Sequence, residues 1–531
     1  MTLERKDKDF RHEGISYLDY KQVEMDRVLT GFLARLWWGG PGSVIFRDTR
    51  NELTTELIVR MMADNPESFQ DFDPAVTHRW VETHLLDLVS RGKPNQAVAG
   101  LRPLHGFTYR FRNARRSRAY NADEQLYEML NHASEKGSLA LSRLKEFFFS
   151  GVDARTEAPR PGDDIDVETQ ALISLSEIIK LEITDRASPA ARRSYPPLYP
   201  EAADLLADDV LRLLFHRDLI PRTVLVEYLK ILFGFHLALY HLKIMKLLPA
   251  MVREGKPTRV GAGFFLDATG LPDSGPAQRA EQSAAAWYGR IPAFVGATFT
   301  VKKLNDVADN LLRRNQLPRP QGGLFQVSAL LSLLGTRYGK DRQTYAAARL
   351  SAIDAARTVG EDDDPVVTQL LQLGIDDFTT YIEVITHYRV SFHRRYLTEC
   401  LDSLLLKNRP GAMVAQPRLG QRRFTLDSRM LEVLLQLSLL RGPDDSPMDL
   451  RTVPLRIDEF LRILRERYGL YIDQLPDGDG FGPALVTDHS ALRENRAAFI
   501  ARLREIGFYS DLSDAYLAQT ITPRYEIKAG S

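Results

Sequence analysis

A chain of 531 residues with 44% hydrophobic and 26% charged side chains is long enough for several packed cores and has a globular composition, which excludes disorder throughout and a membrane-embedded body. Its 70 basic and 70 acidic residues cancel, so attraction to a polyanion has to be local and not a property of the whole chain. The single Cys400 excludes an intrachain disulfide framework and paired-cysteine zinc or redox sites.

The chain opens MTLERKDKDFRHEG, without the apolar run of a signal peptide, and a cytoplasmic location is expected. Arg79 and His84 match a loose arginine-histidine spacing of some helical ribonucleases, a pair able to stabilise a phosphoryl transition state while exchanging protons. The same residues suit a helix surface. From Arg102 to Arg118 six arginines (Arg102, Arg110, Arg112, Arg115, Arg116, Arg118) occur without a carboxylate, interleaved with Phe107, Tyr109 and Phe111. Guanidinium forks fit phosphate oxygens and rings stack on exposed bases, so these arginines and Tyr109 are the candidate nucleic-acid contacts. If GFTYRF (106–111) is a strand, however, its three rings share one face and belong to the core, leaving Arg110 and Arg112 as a solvated edge.

Asn121 followed by Glu124 has capping-box spacing for a helix carrying Leu126, Met129 and Leu130, and a further helix is expected from Leu139 to Phe149. Turn-rich seams fall at Asp153 to Asp164, Ala187 to Ala202, Arg314 to Gly323 and Asn408 to Arg423. Pro221 can begin a helix and Pro249 suits a position beyond its end; the hydrophobes between them cover nearly all faces, so this helix runs through the middle of a domain. Its charged residues and histidines would be costly across lipid. GFFLDATG (263–270) is the second strand candidate, with Asp267 at its end read as a cap or turn former. GTRYGKDRQT at Gly335 lacks the glycine spacing of a phosphate loop. His236 and His241, five apart, sit about 140° apart on a helix. His78 with His84, and His387 with His393, lack placed carboxylates, so neither a metal nor a cofactor is expected. The EDDDP run at Glu361 reads as a solvated connector.

Three amphipathic segments begin at Asp427, Arg456 and Leu492; the third places Leu492, Phe499, Leu503 and Ile506 on one face, stops at Gly507, and precedes a returning strand within Thr520 to Ile527. This order resembles a winged-helix domain, which implies DNA contact by the third helix or protein docking. From Arg418 onward 16 basic residues face 17 acidic ones, a balance that favours docking. The segments GFFLDATG and LREIGFYSDLSDAYLAQTITPRY resemble accessory proteins of bacterial methylation-associated antiphage defence systems. That resemblance implies separately encoded methyltransferase, ATPase or nuclease partners and transfers no catalytic residue.

The expected fold is mainly α: a multi-domain helical protein with small β elements and a C-terminal winged-helix-like domain. Its regions are residues 1–155 with the basic-aromatic segment, a helical bundle at 165–255, a mixed, mainly helical part at 256–407, and the winged-helix-like part at 420–531. The expected function is a non-catalytic subunit of a bacterial multi-protein system that binds nucleic acid (DNA or RNA), scaffolds protein partners, or both, away from membranes. The alternative is a helical effector nuclease.

Overall fold

The computed structural model describes residues 3–47, 54–69, 73–89, 97–113, 115–153, 155–158, 160, 166–180, 183–189, 194–359, 364–442, 450–483, 485–509 and 520–528. Parts of the seams at 153–164 and 187–202, the carboxylates at 361–363 and residues 510–519 of the C-terminal segment lie outside them. Among the described residues there are eighteen α-helices and six two-stranded sheets, so the protein is mainly α.

Eight helices position the rest: α1 (Met25–Trp38), α2 (Ala122–His132), α3 (Gly137–Phe148), α4 (Pro200–Leu214), α5 (Arg222–Glu254), α6 (Ile291–Arg313), α7 (Asp377–Leu404) and α8 (Val486–Glu505). As its all-round apolarity requires, α5 is central: it packs between α4 and α6, α6 packs on α7, and α1 lies against α2. By length and composition α5 could cross a membrane, yet most of it is buried inside the fold.

Pro249 lies inside α5 and not beyond it; the helix continues through buried Ala250 and Met251 to Gly255, whose left-handed φ of 66° ends it. One lost backbone hydrogen bond at proline is offset by continued burial of the stripe. Asn121 starts α2 as expected, but in a left-handed conformation without a side-chain cap. Its amide instead donates to Asp19, and Glu124 pairs with Arg35. The largest departure is GFTYRF, a 3-10 helix (Gly106–Phe111) and not a strand. His105 sets it: its ring Nδ1 accepts from the Phe107 N–H, and its carbonyl accepts the Thr108 hydroxyl at 2.7 Å. A Cβ on Gly106 would stand 2.3 Å from the Phe149 ring, so this entry turn needs glycine.

The second strand candidate forms, as Phe264–Phe265 paired in parallel with Leu470–Tyr471. It joins residues from the third and fourth expected regions, and polar ties do the same. Asn495 of α8 donates to the carbonyls of Leu266 and Ile472 and accepts from the Ala268 N–H. Arg423 pairs with buried Asp267 at 3.1 Å, and Arg467 pairs with Asp208 and Asp209 of α4. A single apolar core runs from Leu3 to Ile521 through all four regions. In the C-terminal part, the helix Ser428–Ser438, strand Leu455–Arg456, helix Ile457–Ile463 and α8 follow in order. Leu455–Arg456 then pairs antiparallel with Thr520–Ile521, and Tyr509 bridges to Ile521. The inward face of α8 is Ala491, Asn495, Phe499 and Leu503, while Leu492 and Ile506 lie at its margin.

Candidate functional site: a cationic, ring-lined cleft

The segment Arg102–Arg118 divides at Arg112. Before that point its side chains build the core. Phe107, Tyr109 and Phe111 are buried, and Arg110 is 1% exposed. Arg110 donates to Glu157 at 2.9 Å, lies 3.6 Å from Asp185 and stacks 3.9 Å above the Phe107 ring, while the Tyr109 hydroxyl donates to Asp185 at 2.5 Å. Neither Arg110 nor Tyr109 is placed to meet a ligand, because their polar groups neutralise buried carboxylates. Arg102 is partly buried beside the strand Val98–Leu101.

From Arg112 onward the chain comes to the surface. Arg115, Arg116 and Arg118 are exposed in a turn made by Asn113, whose side chain accepts from the Arg115 N–H at 3.0 Å. Arg112 and Arg118 line a cleft of about 870 Å³, within the range of small-molecule sites. Its other walls are the N-terminal segment around His12 and Tyr20, the start of α2, Gly31 and Arg35 of α1, and Phe392, His393 and Tyr396 of α7. Gly31 leaves room for the Asp123 carboxylate, which a Cβ there would approach to 2.9 Å.

The carboxylates of the cleft are largely engaged. Asp123 and Glu124 accept from Arg35 at 2.8 and 3.1 Å, Asp19 from Arg11 at 3.4 Å, and Asp9 lies 3.0 Å from Lys302. Burial acts to lower the Arg35 pKa, but Asp123 and Glu124 together hold it above its usual value. Three cations have no carboxylate partner among the described residues. Arg112 donates to the Ser43 carbonyl and keeps its buried Nε without a partner; burial lowers its pKa. Arg118 makes no ion pair, and Lys21 sits on rings, its Nζ 3.4 Å from the Tyr396 centroid and 5.9 Å from that of Phe392. The local field is therefore positive although the chain is neutral.

Two imidazoles border the same space. His12 is 3% exposed, and neither ring nitrogen has a partner of hydrogen-bonding geometry, although Asn305 faces it. His393 stacks on Phe10 with centroids 3.9 Å apart, its Nε2 also without a partner. Burial pushes His12 down to about 4 and His393 to about 3, so both rings are neutral near pH 7. These residues and the Phe392–Tyr396 pair were absent from the sequence-based candidates. Their signal was present: VSFHRRY places Phe392 and Tyr396 four apart, hence on one helical face, among Arg389, Arg394 and Arg395.

Other candidates stand apart from the cleft. Arg79 and His84 are exposed on consecutive helical turns. His236 bonds Asp209 and His241 bonds Ser16, on different faces of α5. His387 bonds Asp364, the cap of the helix Pro365–Gln372. Asp267 accepts from the Thr269 N–H and hydroxyl, forming a turn. Cys400 is buried, its thiol pushed up to about 12. Among the described residues no group of three or more His, Cys, Asp or Glu side chains is placed to hold a metal ion.

Fold and site together define a mainly helical protein, built on one long buried helix, that opens a cationic cleft lined with rings. The profile of the family described as methylation-associated defense system protein MAD7 matches residues 5–525. The chain belongs to that family. No curated protein and no solved structure is significantly similar to it.

Proposed function

We propose that this protein is a non-catalytic, nucleic-acid-binding accessory subunit of a methylation-associated antiphage defence system, working in the bacterial cytoplasm beside separately encoded partners. The carrying observation is the juxtaposition of Arg112, Arg118 and Lys21, cations without carboxylate partners, with an exposed ring pair in one cleft. Arg115 and Arg116 extend that field over the adjacent surface. Phosphate contacts of this kind supply sequence-independent affinity.

The helix, strand, helix, helix and returning-strand order at the C-terminus supports a winged-helix reading of that region. Its near-neutral charge and the exposed, alanine-bearing face of α8 (Arg493, Ala497, Ala501, Arg504) suit protein docking better than phosphate. Mobility shift with labelled DNA and RNA tests the proposal. Binding without cleavage, in the presence or absence of divalent metal, is expected. Cleavage abolished by His84→Ala with retained folding would move the protein to the nuclease class.

A further inference from the structure

The cleft offers three kinds of contact that converge on one chemical shape. The first is a raised aromatic face. Phe392 and Tyr396 stand edge to face with centroids 4.7 Å apart, and Phe392 is 43% exposed on α7. Cations brace both rings: Lys21 beside the pair, Arg389 at 4.2 Å from Phe392 and Arg395 at 5.8 Å from Tyr396. Large exposed rings are uncommon unless they have a partner. The second is a pair of unused polar edges on buried rings, His12 and His393. A neutral imidazole carries one donor and one acceptor, and leaving both unmade in a buried site is costly. The third is guanidinium groups without carboxylates, Arg112 and Arg118.

A face to stack on, buried donors and acceptors, and cations for a phosphate fit a nucleotide. A simple inorganic anion would use only the last of these, and an apolar ligand only the first. Resting on the nucleic-acid reading above, we infer that the cleft seats a single unstacked nucleotide, its base against Phe392 and Tyr396 and its phosphate against Arg112 and Arg118. A paired base inside a duplex has both faces covered, so the seat selects an unpaired nucleotide in a strand or a free mononucleotide. The exposed turn at Arg115 and Arg116 has no such requirement and takes backbone phosphate from either form.

The test uses 2-aminopurine as the base, in a single-stranded oligonucleotide, in a fully paired duplex, and as the free monophosphate, with the full-length protein. Quenching of 2-aminopurine is expected on the single strand and not on the duplex. The Phe392→Ala/Tyr396→Ala variant is expected to lose the quench and about ten-fold or more in single-strand affinity while keeping duplex affinity. Phe392→Trp keeps the seat and supplies its own fluorescence, so it serves if the double variant fails to fold. Its indole emission falls on adding the monophosphate. Single-strand binding that is unchanged in the double variant, with no quench in the wild type, overturns the seat while leaving the nucleic-acid reading in place. Quenching by the free monophosphate alone, with no oligonucleotide bound, keeps the seat and overturns that reading. Absence of all three signals overturns both.

Discussion

Arg110 and Arg115 show how differently one residue type works within a single short segment. The Arg110 guanidinium neutralises Glu157 and Asp185 in the interior, and removing one partner of a buried pair leaves the others uncompensated. Arg110→Ala is therefore expected to lower stability by roughly 3 kcal/mol, whereas Arg115→Ala stays within about 0.5 kcal/mol; thermal denaturation of the two variants checks the contrast. The sequence could not separate them, because an acid-free run says nothing about carboxylates that arrive from residues 157 and 185. A second expectation concerns histidines. Burial is the main cause that holds His12, His216 and His241 at about 4, and His105 and His393 at about 3, below the usual 6.5. As pH falls, the unfolded chain takes up these protons first. Their contribution is thus complete above pH 6.5 and is lost between 6.5 and about 4, by about 1.4 kcal/mol per pH unit for each ring. The melting temperature should fall steeply from pH 7 to pH 5; a flat profile would contradict the burial of these rings.

Elements were legible where periodicity was long. The central helix, the helices near 122 and 139 and the three C-terminal helices follow from stripes of hydrophobes that span several turns. Short pieces were not. GFTYRF carries alternating rings, yet all six residues are buried, so alternation marks no exposed face and the His105 cap decides for a helical turn. Pro249 misled for a related reason: a proline usually ends a helix, but buried Ala250 and Met251 hold the last turns in place. In α8, Asn495 substitutes for the apolar residue expected on the inward face and satisfies three backbone groups of two separate segments. Asn495→Leu should cost about 2–4 kcal/mol, since it leaves those groups buried and unbonded. Chemical denaturation measures this, and a near-neutral effect would mean that water replaces the amide. Much of the cleft was illegible because its walls come from residues near 12, 35, 112, 120 and 393, which only the tertiary fold brings together.

At the scale of the whole molecule, seams in composition do not mark breaks in packing. The turn between 408 and 423 has an exposed tip, with Leu419 99% exposed, but Arg422 pairs with Asp402 and Phe424 is core. Trypsin is expected to nick at Arg418 and leave two fragments that co-elute in size-exclusion chromatography; separating fragments would contradict the shared core. Charge follows the same logic. The chain is neutral in sum because most of its charges are consumed by fixed partners, as in the Asp208, Asp209 and Arg467 cluster. The excess that matters is confined to the cleft and its rim.

The most direct test of that claim is the salt dependence of single-strand binding, followed by fluorescence anisotropy from 50 to 200 mM salt. Each phosphate contact contributes a slope of about −0.7 in log affinity against log salt for a single strand. Wild type should show a steep slope, and Arg115→Glu/Arg116→Glu/Arg118→Glu should weaken binding and flatten the slope by about two units. An unchanged slope in the folded triple variant would place the anionic partner elsewhere and contradict the account.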